Sequence, residues 1–377
     1  MGINMVKYVA VGNFLYNSAI KNVCLTDLRG EGGNALETQP HANLFRFILA
    51  SPTGDWHTTA YYQIVRAKLE SGVPYYGISW DQPGAEQALE DWYQSRVQLL
   101  RSVQREGCQK PITYVRVARA KKVRNQIDDG LHRCGAALAL GLEYVPAICL
   151  NDELTAIAQR FYNEECKLYQ PMYDKAIIGL EEWRVIRSGT ARRAALIKAH
   201  LPVTPEHKLL DIGANMGYFS FLLADECAKA QVFAIDTMPY YAQWVAVLTR
   251  VLSVRGPNWY KGRVVVWQGD YAALLGRAPF DVVLNLSVFH HIFLRDETEF
   301  AMRMRQLSQV TDTMFFEMGT AEEEFVKCKL QEQHRELIFQ QDIPVLIEKY
   351  TDFHVRDLGV TDYRHLFLCT HLQEEEV

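Results

Sequence analysis

Asp211, Gly213 and Gly217 fall in one stretch, KLLDIGANMGYFS, spanning 208–220. Leu209, Leu210 and Ile212 form a short apolar run, as a buried parallel strand would. Gly213, Ala214, Asn215, Met216 and Gly217 then make a turn of small residues, and from Phe219 apolar residues recur at helical spacing. Strand, glycine turn and helix bring backbone close to a ligand and aim helix N–H groups at it. Two more carboxylates end apolar runs: Asp236 after Gln231–Ile235, and Asp270 after Arg263–Trp267 and Gln268-Gly269. A fourth run, 280–286, leads into Ser287-Val288-Phe289-His290-His291. A neutral imidazole there can take a proton from a hydroxyl or amine near pH 7. The alternative is structural, with one histidine packed under the strand end and the other solvated.

The spacing Asp-x-Gly-x-x-x-Gly is neither the Gly-x-Gly-x-x-Gly of nicotinamide and flavin folds nor a P-loop, since no Gly-Lys-Ser/Thr follows. It resembles motif I of class I S-adenosylmethionine (SAM) methyltransferases. That resemblance implies a Rossmann-like seven-stranded sheet ending in a reversed hairpin, with SAM as cofactor. Gly213, Asn215 and Gly217 would form the turn against the methionine moiety. Asp211 would order the turn or reach the amino group. Asp236 would accept both ribose hydroxyls, and Asp270 the adenine amine, with Tyr271 or Trp267 against the ring. His290 and His291 stand where the family carries its acceptor chemistry, with Ser287 and Tyr218 as positioners. The Asn/Asp-Pro-Pro-Tyr/Phe motif of DNA amino methylation is absent, and so is the Pro-Cys nucleophile of cytosine-C5 methylation.

A second constellation lies earlier. A β-branched strand, 112–117, is followed by Asp129-Gly130-Leu131-His132-Arg133, a small-residue helix from Cys134, and a second strand, 144–150. This order resembles the core of the ParB/sulfiredoxin-like superfamily, which implies an N-terminal α/β domain and a phosphate- or nucleotide-holding role for Asp129, Gly130, His132 and Arg133. Read from the residues alone, Gly130 permits close approach and Arg133 can grip a phosphate bidentately. Equally, Asp129 can cap the helix while His132 and Arg133 tie the turn to nearby carbonyls. The basic residues Arg116, Arg119, Lys121, Lys122 and Arg124 are a solvated face or a contact for a phosphate-bearing partner.

The totals bound these readings. A chain of 377 residues, 49% hydrophobic and 23% charged, holds two globular domains. Residues 1–150 carry 16 Lys+Arg against 13 Asp+Glu, and residues 151–377 carry 24 against 32. An acidic catalytic half disfavours long nucleic acid and favours a small-molecule or glycan-type acceptor. The eight cysteines are scattered without a Cys-x-x-Cys pair, as reduced thiols of a cytoplasmic protein would be. No apolar run reaches membrane-spanning length, and no secretory signal precedes the fold. No metal site is expected. The acidic stretch from Glu317 to Glu324 reads as a capped, exposed helix start, the alternative being a contact for a metal or a cationic acceptor.

The elements around these residues divide the chain into 1–155, a ParB/sulfiredoxin-like domain that includes a strand near Val6–Val11, and 156–377, a methyltransferase domain. Helices over 153–168 and 183–200 would cover the cofactor site. The sequence thus supports methylation of O or N on a small molecule or glycan, with the first domain aiding recognition. The competing classes are a nucleotide-binding or kinase-like ParB-type protein with a regulatory methyltransferase domain, and an RNA methyltransferase.

Overall fold

The computed structural model describes residues 7–8, 20–119, 122–158, 167–173, 184–185, 187, 189–202, 207–255, 260–293, 295–319, 342–362 and 364–371. The chain forms two compact units, Tyr16–Ala156 and Ile157–Val377, the latter joined by Met1–Leu15. Strand β1 (Lys7–Tyr8) pairs antiparallel with the strand over 264–268. The N-terminal strand therefore belongs to the second unit's sheet, not to the first domain as its position in sequence implied.

The first unit contains β2 (Lys21–Cys24), β3 (Leu28–Arg29), α1 (Pro40–Ala50), α2 (Ala60–Glu70), α3 (Ala85–Glu106), β4 (Ile112–Arg119), β5 (Lys122–Asp129), α4 (Leu131–Ala139), β6 (Tyr144–Cys149) and the start of α5 (Leu150–Ala158). Its sheet has the order β2-β6-β4-β5-β3. β4 runs parallel to β6 and antiparallel to β5. The amphipathic α3 buries Leu89, Trp92, Tyr93, Val97, Leu100 and Val103, spaced three and four apart. Small residues on α4 let α1 approach. A Cβ on Gly135 would stand 2.9 Å from the His41 carbonyl oxygen.

The second unit carries β7 (Lys167–Leu168), β8 (Arg184–Val185), α6 (Thr190–Ala199), β9 (Lys208–Ile212), α7 (Tyr218–Glu226), β10 (Gln231–Asp236), α8 (Pro239–Arg255), β11 (Val264–Gln268), β12 (Val282–Leu286), α9 (His290–Phe293), α10 (Glu297–Ser308), β13 (Thr313–Glu317), a helix over Asp342–Tyr350, β14 (His354–Thr361) and β15 (Arg364–Thr370). The sheet order is β1-β11-β10-β9-β12-β13-β15-β14. Strands β11 to β13 run parallel through β10, β9 and β12, and β15 is antiparallel to both its neighbours. Beyond the added β1, this is the reversed-hairpin order that the methyltransferase resemblance implies.

Alternation along each strand assigns its faces. Leu210, Ile212, Phe233, Ile235, Val283, Met314 and Phe316 pack with Phe300, Met304 and Leu307 of α10 and Ile343 and Ile347 of the helix after it. Asp211 points to the other face, where its carboxylate accepts the Ser220 hydroxyl of α7.

The covering helices differ from the sequence reading. Arg184–Val185 is a short strand parallel to Lys167–Leu168, and α6 begins only at Thr190. Helix α5 is described over Leu150–Ala158, and residues 159–166 lie outside the described residues. The backbone N–H of Arg187 donates to the Tyr169 carbonyl, so the chain before α6 pairs across rather than coiling.

Candidate functional site

The carboxyl ends of β9, β10, β11 and β12 converge on one cavity of about 310 Å³. Its apolar walls are Ile212, Ile235, Val288 and Ile292, and its polar groups include Asp236, Asp270, His291, Arg295 and Arg303. Parallel sheets bind ligands at this edge, where strand order reverses.

The β9–α7 turn forms as its glycines dictate. Gly213 has φ +70° and Gly217 φ +76°, both left-handed. The Gly213 and Ala214 N–H groups donate to the Ile235 carbonyl at 2.8 and 3.0 Å, fixing the turn against β10. A Cβ on Gly213 would stand 2.4 Å from Val288 Cγ2. Gly213→Ala is therefore expected to cost about 1–2 kcal/mol of stability for the left-handed conformation alone, and to push Val288 within the cavity. Thermal unfolding and SAM titration check this, and an unaltered melting point would show that the turn tolerates a side chain. Asn215 is also left-handed, at φ +50°. Its side-chain oxygen accepts the Met216 N–H at 2.8 Å.

Asp236 ends β10 with its carboxylate already oriented. Oδ2 accepts the Asn215 N–H at 3.0 Å, and Oδ1 the Met238 N–H at 2.9 Å. Each oxygen keeps a lone pair for a further donor. Burial pushes its carboxyl up to about 6, against the lowering effect of those two N–H groups. Asp211 is likewise raised to about 6, by burial and then by the Asp236 charge, with the Ser220 hydroxyl opposing. At 3% exposure Asp211 orders the start of α7, and it is absent from the cavity lining given above.

Asp270 caps the short helical turn that follows it by accepting the Ala272 N–H at 3.0 Å. Arg303 of α10 grips the same carboxylate with two bonds of 2.7 Å. Burial raises this carboxyl, but the Arg303 bonds and the Ala272 N–H outweigh it and hold it below its ordinary value. Oδ1 is then saturated, and Oδ2 keeps one lone pair. Tyr271 lines the cavity with the Arg303 guanidinium 5.4 Å from its ring centroid. Sequence reasoning missed Arg303, whose helix spacing alone marks it as surface.

The histidine pair separates. His291 lines the cavity. His290 is 2% exposed, with its ring centroid 4.0 Å from that of His291. Burial thus removes His290 from equal candidacy as a proton acceptor.

Ser287, expected to position an acceptor, is turned inward instead. It sits at φ +65° and donates its hydroxyl to Glu317 at the end of β13. Glu317 is fully buried, so the expectation of an exposed acidic helix start fails at its first residue; residues 320–341 lie outside the described residues. Arg187 donates from Nη2 to both Glu317 oxygens at 3.0 and 3.2 Å, and from Nε to Asp362 at 3.0 Å. Arg193 of α6 lies 3.2 Å from Glu317, and Arg364 lies 3.6 Å from it. This ionic cluster ties α6, the ends of β12 and β13, and the β14–β15 turn together. Removing one charge leaves the others uncompensated. Glu317→Gln is expected to lower stability by about 1–3 kcal/mol, read by urea unfolding; no change would show that the cluster is not needed for the fold.

The turn after β5 is tied down through Arg133, whereas Asp129 pairs with Arg133 instead of capping α4 and His132 meets a tyrosine hydroxyl instead of a carbonyl. Arg133 donates to the Lys110 and Pro111 carbonyls at 2.9 and 2.6 Å, and its Nη2 to Asp129 at 2.9 Å. Gly130 has φ +109°, and a Cβ there would meet Ile112 Cγ2 at 2.5 Å. His132 is 8% exposed, its Nε2 2.9 Å from the Tyr61 hydroxyl.

No family model matches the chain. The O-antigen chain terminator bifunctional methyltransferase/kinase WbdD of Escherichia coli is 31% identical over 134 residues, which span 35% of this chain and only 18% of that relative. Among solved structures, WbdD at 2.2 Å is 18% identical with a TM-score of 0.43, covering 58% of this chain and 47% of that one. The N-terminal domain of EvdMO1 with SAH bound is 13% identical with a TM-score of 0.36, covering 48% and 80%. A SAM-dependent methyltransferase from Aquifex aeolicus is 14% identical with a TM-score of 0.34, covering 50% and 91%. The fold assignment stands on the strand order described above, not on these likenesses.

The residues fit SAM. A tight glycine turn leaves room for the methionine end, an oriented carboxylate with spare lone pairs suits a ribose diol, and an apolar slot beside Tyr271 suits adenine. Among the described residues no group of three or more His, Cys, Asp or Glu is placed to hold a metal, and no helix is long and apolar enough to cross a membrane.

Proposed function

We propose that the chain is a SAM-dependent methyltransferase acting on an oxygen or nitrogen of a small-molecule or glycan-type acceptor. The observation that carries this reading is the convergence of Gly213, Asp236, Asp270, Tyr271 and His291 on one cavity at the carboxyl edge of a reversed-hairpin sheet. Bound SAM supplies a methyl group on a sulfonium. Asp236 accepts the ribose hydroxyls, Tyr271 flanks the adenine, and Asp270 accepts the adenine amine on its remaining lone pair. Arg303 keeps that carboxylate in place. His291 takes the proton of the acceptor hydroxyl or amine. A glycan acceptor is favoured because the curated relative is named an O-antigen chain terminator. For the first unit, the strand, left-handed Gly130, α4 and β6 follow the order that supports a ParB/sulfiredoxin-like domain, which would aid recognition of a phosphate-bearing ligand. The test is incubation with isotope-labelled SAM and a metabolite and glycan extract, followed by mass spectrometry. Gain of one methylene on an acceptor supports the reading. Calorimetry showing no SAM binding would sink it.

A further inference from the structure

Arg96 of α3 has no ion pair and no hydrogen bond among the described residues, and its Nε is buried without a partner. Its guanidinium lies 4.6 Å from the Trp92 ring centroid and 5.6 Å from that of Tyr76. Trp92 is 7% exposed, whereas Tyr76 is 64% exposed. Tyr61 and Tyr75 also pack on Trp92, with ring centroids at 5.6 and 5.4 Å, and two imidazoles lie beside them. The His132 ring centroid is 5.6 Å from Trp92 and 5.9 Å from Tyr76, and His41 is 4.7 Å from His132. Burial first, then neighbouring cations, pushes His41 down to about 4 and His132 down to about 2. Both are neutral at pH 7, so the cations beside these rings are Arg96, Lys68, whose Nζ lies 5.9 Å from the Tyr75 ring centroid, and Arg133, which is paired with Asp129. Of the acids that act on Tyr76, Asp129 is paired with Arg133, and Glu31 is exposed.

Tyr76 is itself held unusually. Tyr75 and Ile78 exchange backbone hydrogen bonds of 2.9 and 3.0 Å across a two-residue turn. Both central residues are left-handed, Tyr76 at φ +50° and Gly77 at φ +81°. Such turns favour Asn, Asp or Gly at the first central position. A tyrosine there is strained, and the strain presents its ring at the surface beside Arg96.

Arg96 is half-buried with no carboxylate bonded to it among the described residues, so its outer nitrogens can donate to an oxyanion, and the exposed Tyr76 ring offers an aromatic surface to the C–H face of a sugar. We propose that Arg96, Tyr76 and Trp92 form a recognition site for a ring-bearing oxyanion, a phosphate or carboxylate carried on a sugar. The site uses none of the residues assigned to methyl transfer and stands independently of that reading.

Calorimetric titration of the full chain with glucose 6-phosphate, glucuronate and neutral glucose tests it. At least one of the two anions is expected to bind saturably and glucose not to bind; which anion binds separates phosphate from carboxylate. Arg96→Gln is expected to weaken the bound anion about 10- to 100-fold, with Arg96→Lys intermediate because the planar fork is lost. Tyr76→Ala is expected to weaken the bound sugar anion while leaving the matching ring-free anion, inorganic phosphate or acetate, unaffected. A cooperative unfolding transition confirms that each variant is folded, and Arg96→Lys carries the comparison should Arg96→Gln not fold. No saturable binding of either anion, equal binding of glucose, or unchanged affinity in the Arg96 variants would overturn the proposal.

Discussion

Asp236→Ala is expected to lower the affinity for SAM about 30- to 1000-fold, the counterpart of about 2–4 kcal/mol for losing a charged acceptor of two hydroxyls. The geometry makes this loss hard to compensate. The two N–H groups that orient Asp236 come from Asn215 in the glycine turn and from Met238. Removing the carboxylate therefore also frees the turn that would receive the methionine end. A pH dependence accompanies the effect. The carboxyl titrates near 6 in the folded chain, raised by burial, and ribose hydroxyls donate best to the ionised form. Affinity should be full above that value and fall as pH drops through it. Fold stability moves oppositely. A raised carboxyl pKa contributes stability that is fully present below the ordinary carboxylate value and is lost as pH rises through about 6. Titration calorimetry between about pH 5 and 8 reads the affinity trend, and thermal unfolding between about pH 4 and 7 reads the stability trend, each on the native chain and the variant. Unchanged affinity in Asp236→Ala would remove the ribose assignment and leave the cavity without its ligand's best anchor.

The donor half of the site was legible because its determinants are local. A left-handed glycine, a carboxylate at the end of an apolar run and a helix start are written within a few residues of one another. Their convergence follows once the strands pair in order, which the alternation of runs from Leu209 to Thr370 implies. What stayed hidden depends on residues far apart in sequence. Ser287 looks like an acceptor-side hydroxyl until Glu317, 30 positions away, is seen to receive it. Arg303 looks like one of several surface charges on α10 until its bidentate grip on Asp270 is known. Arg187 and Arg193 looked like basic residues of a covering helix, yet both are fully buried on carboxylates from β13 and the terminal hairpin. Lys7–Tyr8 carries no signal telling an edge strand which sheet to join, and backbone hydrogen bonds to β11 decide it. In the first unit the residues of Asp129-Gly130-Leu131-His132-Arg133 permitted two arrangements. Arg133 takes the local one because the Lys110 and Pro111 carbonyls lie within reach.

His291→Ala is expected to lower turnover about 10²- to 10⁴-fold while SAM affinity is nearly kept. The structure sharpens which histidine to test. His291 lines the cavity that Gly213 and Asp236 also line, and under the proposed reading its ring would meet the acceptor there. His290 lies against it at 2% exposure, ring centroids 4.0 Å apart, and under the proposed reading would act on the acceptor only through His291 or through the fold. The two variants should therefore differ in kind. His291→Ala should keep the native melting temperature and lose kcat, whereas His290→Ala should lower the melting temperature. His291→Gln, which keeps a hydrogen-bonding group but has no basic nitrogen, should behave as His291→Ala if proton removal is the role, and should regain activity if alignment of the acceptor is the role. Full activity in His291→Ala would leave alignment alone as the source of catalysis, with the donor cavity unaffected by that outcome.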